Sequence, residues 1–166
     1  RYHRLISLNE VGADPGTFGE SADAFHAATA ATAHRWADTM LTLSTHDTKR
    51  SADVRARINV LAEEPERWRG AVLGWMEQNE HHWHGAEPDR NTEYLLYQTL
   101  VGAWPIDADR VVAFTTKAVR EAKVHTSWTD PHDAYEARVE RFVRLLLADP
   151  DAVDRIEAFL ASTDLV

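Results

Sequence analysis

Residues 40–58 read MLTLSTHDTKRSADVRARI. The run from Met40 to Thr45 is apolar and partly β-branched, which predicts a short buried strand. Ser51 then stands where a helix N-cap belongs. Beyond it Val54, Ile58 and Leu61 recur at helical spacing. Between strand and helix lie four ionisable side chains, His46, Asp47, Lys49 and Arg50. Two readings of that junction stand on spacing alone. In the first, Asp47 caps the following helix and the two basic residues are solvated. In the second, the junction is the carboxyl edge of a parallel barrel strand, where catalytic groups gather. There Asp47 can stabilise positive charge developing on a sugar carbon, and His46 can donate a hydrogen bond to a hydroxyl. Lys49 and Arg50 can hold neighbouring carboxylates ionised.

Working outward, the pattern on the amino-terminal side is mixed. Residues 1–20 combine a short apolar run with Gly12, Pro15, Gly16 and Gly19, predicting a strand or turn of helix and then a loop. The alanine-rich segment after Ser21 predicts a helix with that serine as cap. On the carboxyl-terminal side the chain reads as helix almost without interruption. Pro65 ends one helix and opens the next, which carries Trp68, Val72, Trp75 and Met76 on one side. NTEYLLYQTLVGAW is strongly apolar. The next segment has Asp107 or Asp109 at its start and Arg120 and Lys123 at its end, matching the helix dipole. Asp-Pro pairs at 130–131 and 149–150 announce two more helices. The expected fold is mainly α, with about seven helices and one or two short strands. Two short strands do not form a stable sheet unaided, so these are read as belonging to a larger sheet.

Composition narrows the function. Of 166 residues, 44% are hydrophobic and 27% charged, enough for a packed core. The net charge of -9 repels phosphate backbones, so no nucleic-acid partner is expected. The absence of cysteine removes thiol chemistry and disulfides, and fits the cytoplasm. No apolar run approaches the roughly 20 residues of a membrane span, and no membrane partner is expected.

Four blocks decide between the readings of the junction. LNEVGADPGTFG, LSTHDTKRSADVRAR, NTEYLLYQTLVGAWP and KAVREAKVHTSWTDPHDAYE occur in that order between about Leu8 and Glu136. Together they resemble the maltooligosyl trehalose synthases, a branch of the α-amylase superfamily of glycoside hydrolases. Only Ala13 departs from the blocks, at a loop position where glycine is expected. The resemblance implies a (β/α)8-barrel enzyme with a helical insertion. Residues 1–50 would be a piece of the barrel (loop, helix, strand seven) and residues 51–166 the helical subdomain, packed as one compact unit. It implies a maltooligosaccharide substrate, whose reducing-end α-1,4 bond becomes an α,α-1,1 bond by retaining intramolecular transfer. Asp47 matches the superfamily's transition-state-stabilising carboxylate and His46 its sugar-binding neighbour. Lys49 and Arg50 in the same block, and Lys123, His125 and Trp128 in the fourth, are expected to bind substrate. The blocks that carry the family's nucleophilic Asp and acid Glu are not found here, and Glu10 sits in a block resembling a loop after strand six. The chain therefore resembles a carboxyl-terminal part of the enzyme. Alone it should be inactive, with the rest of a parent chain as its partner and a homo-oligomer as the outcome of its exposed apolar surface. No cofactor and no metal are called for by this chemistry. A helical binding or assembly domain, with His46-Asp47 as a cap, is the alternative.

Two further features are weighed separately. On one helix, Glu77, His81 and His84 would share a face and offer metal ligands, although such a cluster is more often a polar helix end. Of the six tryptophans, Trp68, Trp75 and Trp104 are expected in the core and Trp83 at the surface.

Overall fold

A computed structural model of the chain describes residues 3–14, 16–17, 19–85 and 88–163. It contains seven α-helices: α1 (Ala22–Arg35), α2 (Ala52–Val60), α3 (Pro65–Gln78), α4 (Arg90–Ala103), α5 (Ala108–Ala122), α6 (Asp133–Ala148) and α7 (Pro150–Ser162). Among the described residues two single 3-10 turns, Ile6–Leu8 and Glu80–His82, and an isolated bridge residue at His84 accompany the helices. None of the described helices is long and apolar enough to cross a membrane.

The helix starts follow the expected chemistry. Ser21 Oγ accepts from Ala24 N–H, and Asp107 accepts from Arg110 N–H. Asp89 accepts from both Asn91 and Thr92 N–H at the start of α4, and Asp149 caps α7 with Pro150 in the first turn. Ser51 occupies the cap position of α2, yet its side chain makes no capping hydrogen bond.

Helix α4 is the axis of the packed part. Its residues from Leu96 to Gly102 are buried without a break, so neighbours surround it rather than cover one face. Helix α2 crosses it at Gly102, where an added Cβ would lie 2.8 Å from Ile58 Cγ1 and 3.0 Å from Val54 Cγ1. Glycine here permits close approach of the two backbones. Trp68 and Trp75 of α3 meet Phe159 of α7 at ring-centre distances of 5.6 and 5.5 Å, and Trp75 meets Tyr97 edge-on at 5.3 Å. Offset and edge-on rings of this kind add to the burial of their area. Helix α5 packs on α6, and a two-pronged pair of Arg120 with Glu136, at 2.8 and 2.6 Å, ties them.

A buried polar chain threads this core. Arg155 donates to Asn79 Oδ1, Asn79 donates to the Tyr97 hydroxyl, and that hydroxyl donates to Glu93 Oε1 at 2.7 Å. Arg90 closes the chain on Glu93 Oε2 at 2.8 Å. Burial raises the Glu93 carboxyl above its usual range, against the pull of Tyr97 and Arg90. The Tyr97 phenol is pushed upward too, by burial and by the neighbouring Glu93.

Residues 1–50 differ from expectation. The apolar run at 40–45 is extended but is not a strand, and no strand occurs among the described residues. Met40, Leu41 and Leu43 are 95%, 83% and 79% exposed. The physical reason is the absence of a neighbour: a strand is completed by ladder bonds to another strand, and this segment has none beside it. Helix α1 forms as predicted yet has no buried residue. The first apolar run resolves as the turn Ile6–Leu8 rather than a strand. Trp83 is half-buried with the Arg90 guanidinium 4.1 Å above its ring, whereas Trp36 and Trp128 are exposed. Trp68 and Trp75 are in the core and Trp104 packs against it.

Candidate active-site cleft

The segment that carries His46 and Asp47 is placed by contacts from three directions. Ile6 N–H donates to Gln98 Oε1 at 2.9 Å, and Gln98 Nε2 donates back to Arg4 O at 2.9 Å. This amide clip fixes the amino-terminal segment on α4. The following loop meets the junction directly, where Val11 N–H donates to Asp47 O at 3.2 Å. From α2, Arg55 reaches the Leu43 carbonyl and lies 3.8 Å from Glu10. The turn itself is closed by threonines: Thr45 N–H donates to Thr48 Oγ1, and Asp47 N–H donates to Thr45 Oγ1. Lys49 completes the turn in the left-handed region at φ 62°.

These contacts shape a cleft of about 730 Å³. His46, Lys49 and Arg50 line it, with Glu10, Phe114 and Lys117 across from them. The Arg50 guanidinium stands 5.1 Å over the Phe114 ring of α5, so its charge is held at the wall by the ring's negative face. Asp47, next in the chain to His46, is exposed and is not among the residues that line the cleft, and its carboxylate has no hydrogen-bond or ion-pair partner among the described residues. The cleft thus combines an aromatic wall with basic and imidazole donors, the pairing that suits a polyhydroxylated ligand.

A second cleft of about 430 Å³ adjoins the first and shares His3, Ile6, Leu95 and Ala118 with it. His125 is here. Its Nε2 is 3.5 Å from Asp89 Oδ2, and its ring lies 4.8 Å from that of Tyr135. Burial opposes ionisation of Asp89. Hydrogen bonds from Thr92, Tyr135 and Asn91 outweigh it and hold the carboxyl below its usual range. Asp89 serves twice, as the cap of α4 and as a fixed negative charge beside His125.

The remaining sequence-predicted residues lie apart. Lys123 ends α5 in the left-handed conformation, exposed, and lines neither cleft. Trp128 is 54% exposed with Arg120 5.0 Å over its ring, also outside both clefts. The structure therefore brings His46, Lys49 and Arg50 together, puts His125 next door, and leaves Lys123 and Trp128 on the surface. Sequence reasoning missed Asp89, Tyr135 and Phe114. Asp89 and Tyr135 sit in or beside the family-like blocks, but their pairing joins residues 46 positions apart. Spacing carries no signal of that kind.

The shared helix face of Glu77, His81 and His84, weighed above against a polar helix end, does not form. Helix α3 ends at Gln78, and the 3-10 turn that follows points His81 and His82 toward Asp149 instead.

No protein-family model matches the chain. A protein from two strains of Mycobacterium tuberculosis, named for maltooligosyl trehalose synthase, is 41% identical over 154 residues. The match covers 89% of this chain and 19% of that relative. The solved maltooligosyltrehalose synthase of Arthrobacter ramosus is 42% identical with a TM-score of 0.81, over 96% of this chain and 20% of its own. A further crystal structure of a maltooligosyl trehalose synthase gives 37% identity and a TM-score of 0.86, over 98% and 22%. The chain spans about a fifth of the length of the relatives it matches. The resemblance carried by the four sequence blocks is thereby shown: almost the whole of this chain matches one segment of the maltooligosyl trehalose synthases.

Proposed function

We propose that these residues belong to a glucosylmutase of trehalose biosynthesis acting on maltooligosaccharides in the cytoplasm. The reading is supported by the 41% identity over 154 residues to a protein named for maltooligosyl trehalose synthase, by the resemblance of the block around His46 and Asp47 to that family, and by the exposed, unpartnered carboxylate of Asp47 beside the cleft-lining His46. In the proposed reaction a carboxylate outside this chain attacks the anomeric carbon of the penultimate sugar. The reducing-end α-1,4 bond breaks, and an acid, also outside this chain, protonates the departing oxygen. The released glucose turns over and its anomeric hydroxyl attacks the glycosyl-enzyme, losing its proton to the same acid group, now a base. An α,α-1,1 bond results with retained configuration. Asp47 stabilises the oxocarbenium-like charge at each transfer, and His46 holds sugar hydroxyls. Lys49, Arg50 and His125 contribute hydrogen bonds, and Trp128 and Lys123 meet sugar where further chain closes over them. Water has to be excluded, or the intermediate hydrolyses.

This reading divides the chain at residue 50. Residues 1–50 become barrel, with 40–45 as strand seven once neighbouring strands flank it. Residues 51–166 become the helical subdomain. Exposed Trp36, Met40, Leu41 and Leu43 are then the surface that the remainder of the parent chain covers. The 166 residues alone are inactive, because one stabilising carboxylate cannot replace a nucleophile and an acid. They also self-associate through that apolar surface. The test is Asp47→Asn in the full-length protein. Formation of the α,α-1,1 product should be lost, with the unfolding midpoint unchanged. Activity at the parent level would remove Asp47 from the mechanism. Light scattering of the isolated chain over a concentration series should show association, and a monomer throughout would remove the covered-surface reading.

A further inference from the structure

We propose that His81, His82 and Asp149 form a binding site for a divalent transition metal of the zinc class. The three groups come from two distant parts of the chain. The histidines lie on the 3-10 turn after α3, and the aspartate is the N-cap of α7. One ligand atom from each lies within 4.8 Å of the others. His82 Nε2 is 3.0 Å and His81 Nε2 3.9 Å from the same carboxylate oxygen, Asp149 Oδ2. Tetrahedral zinc with bonds of about 2.0–2.1 Å holds its ligand atoms about 3.3 Å apart. These two separations bracket that value, and all three ligand atoms stay within 4.8 Å of one another, so side-chain rotation has to draw the histidines together to close the site.

The hydrogen bonding around the cluster favours a cation at its centre. His81 Nδ1 is 2.8 Å from the carbonyl oxygen of Gln78. A carbonyl only accepts, so Nδ1 carries a proton, which leaves Nε2 as the ring atom a metal would take. That nitrogen lies 3.9 Å from a carboxylate oxygen. A backbone carbonyl on the far ring nitrogen is also the partner that fixes the tautomer of metal-bound histidines. His82 presents the same ring atom but with its proton on it. Its Nε2 donates to Asp149 in the free protein, and a metal takes the place of that proton, which passes through solvent to Nδ1. The second carboxylate oxygen, Oδ1, accepts from Asp151 N–H at 3.0 Å, so the carboxylate plane is held from behind while Oδ2 points at the imidazoles. The side chains of His82 and Asp149 are 11% and 18% exposed, and that of His81 is 62% exposed. The site is therefore open on one side, with room for a water as fourth ligand. Imidazole and carboxylate together select zinc, cobalt or nickel over magnesium or calcium. The bound ion would pin the end of α3 to the start of α7.

The experiment uses chelator-stripped protein titrated with Zn²⁺ by calorimetry and with Co²⁺ by visible absorption. One equivalent should bind, Co²⁺ should give ligand-field bands, and Zn²⁺ should raise Tm. His81→Ala changes an exposed side chain. Asp149→Asn keeps a residue that caps helices as well as aspartate does, and circular dichroism checks that α7 persists. Each variant should lose the cobalt bands and bind Zn²⁺ at least about tenfold more weakly. His84→Ala should behave as the parent. Absence of stoichiometric binding overturns the proposal. So does binding that survives both substitutions, and loss in one variant alone rules out the three-ligand site.

Discussion

Helices α1 and α4 are each 14 residues long, and each starts with a side chain that caps it. There the likeness ends. Helix α1 buries nothing, whereas nine residues of α4 are buried. The contrast separates two meanings of a helix signal. Caps and alanine are enough to specify α1 as a helix. They do not make it part of this core, because no other element lies against it and none of its residues is buried.

The contrast can be broken by substitution. Leu100 of α4 is fully buried, and Leu100→Ala should cost about 3 kcal/mol in urea unfolding. The equally large truncation Leu41→Ala in the exposed segment should leave the midpoint unmoved. Equal losses at both sites would show that residues 40–45 are packed after all. Gly102→Ala comes next. Its new methyl group would collide with Ile58 and Val54, separating α2 from α4 at a cost of about 2 kcal/mol. A variant as stable as the parent would mean that these helices shift apart freely.

The caps give a smaller and sharper test. Asp107→Ala should lower stability by about 1 kcal/mol, because α5 unfolds with the core. Ser21→Ala should reduce the far-ultraviolet helix signal without moving the unfolding midpoint. A shifted midpoint would couple α1 to the core.

The smallest effect is a pair of opposed pH dependences within the packed region. The Arg120 hydrogen bonds hold the Glu136 carboxyl below its usual range. Its contribution is fully present above the unfolded value of about 4.3 and is lost as pH falls through the depressed folded value. Glu93 is raised by burial, so the folded state binds its proton more tightly than the unfolded one. The sign is then reversed, and stability declines as pH rises from about 4.3 through the raised value. Glu136→Gln should flatten the acid limb, and Glu93→Gln the limb above it. Urea midpoints followed across both windows check the two signs, and the same slope change in both variants would refute the assignment.

How much of this could be read from the sequence follows the same division. Helices α2 to α7 were legible because period, caps and Pro signals agree there. Val111, Thr115, Ala118 and Val119 of α5, for example, fall on one buried face between Asp107 and Lys123. Residues 40–45 are extended but form no strand here, because β-propensity describes a side chain that fits a sheet, and no sheet stands beside them among the described residues. The cleft was half legible. The dipeptide at 46–47 and the basic pair after it marked one wall. Phe114 opposite was invisible, because its place there depends on how α5 lies against the amino-terminal segment. The His81–His82–Asp149 cluster was hidden for a simpler reason: helix spacing groups His81 with Glu77 and His84, whereas the chain leaves the helix at Gln78 and Asp149 lies 67 positions from His82.

The amide clip between Gln98 and the segment at Arg4 and Ile6 has a consequence for synthesis. Its partners are 92 and 94 positions apart. At about 5–20 residues per second, a ribosome takes on the order of ten seconds to deliver Gln98 after Ile6. For that interval the segment at Arg4 and Ile6 lacks the Gln98 clip, and its backbone groups wait on a helix made some 92 residues later.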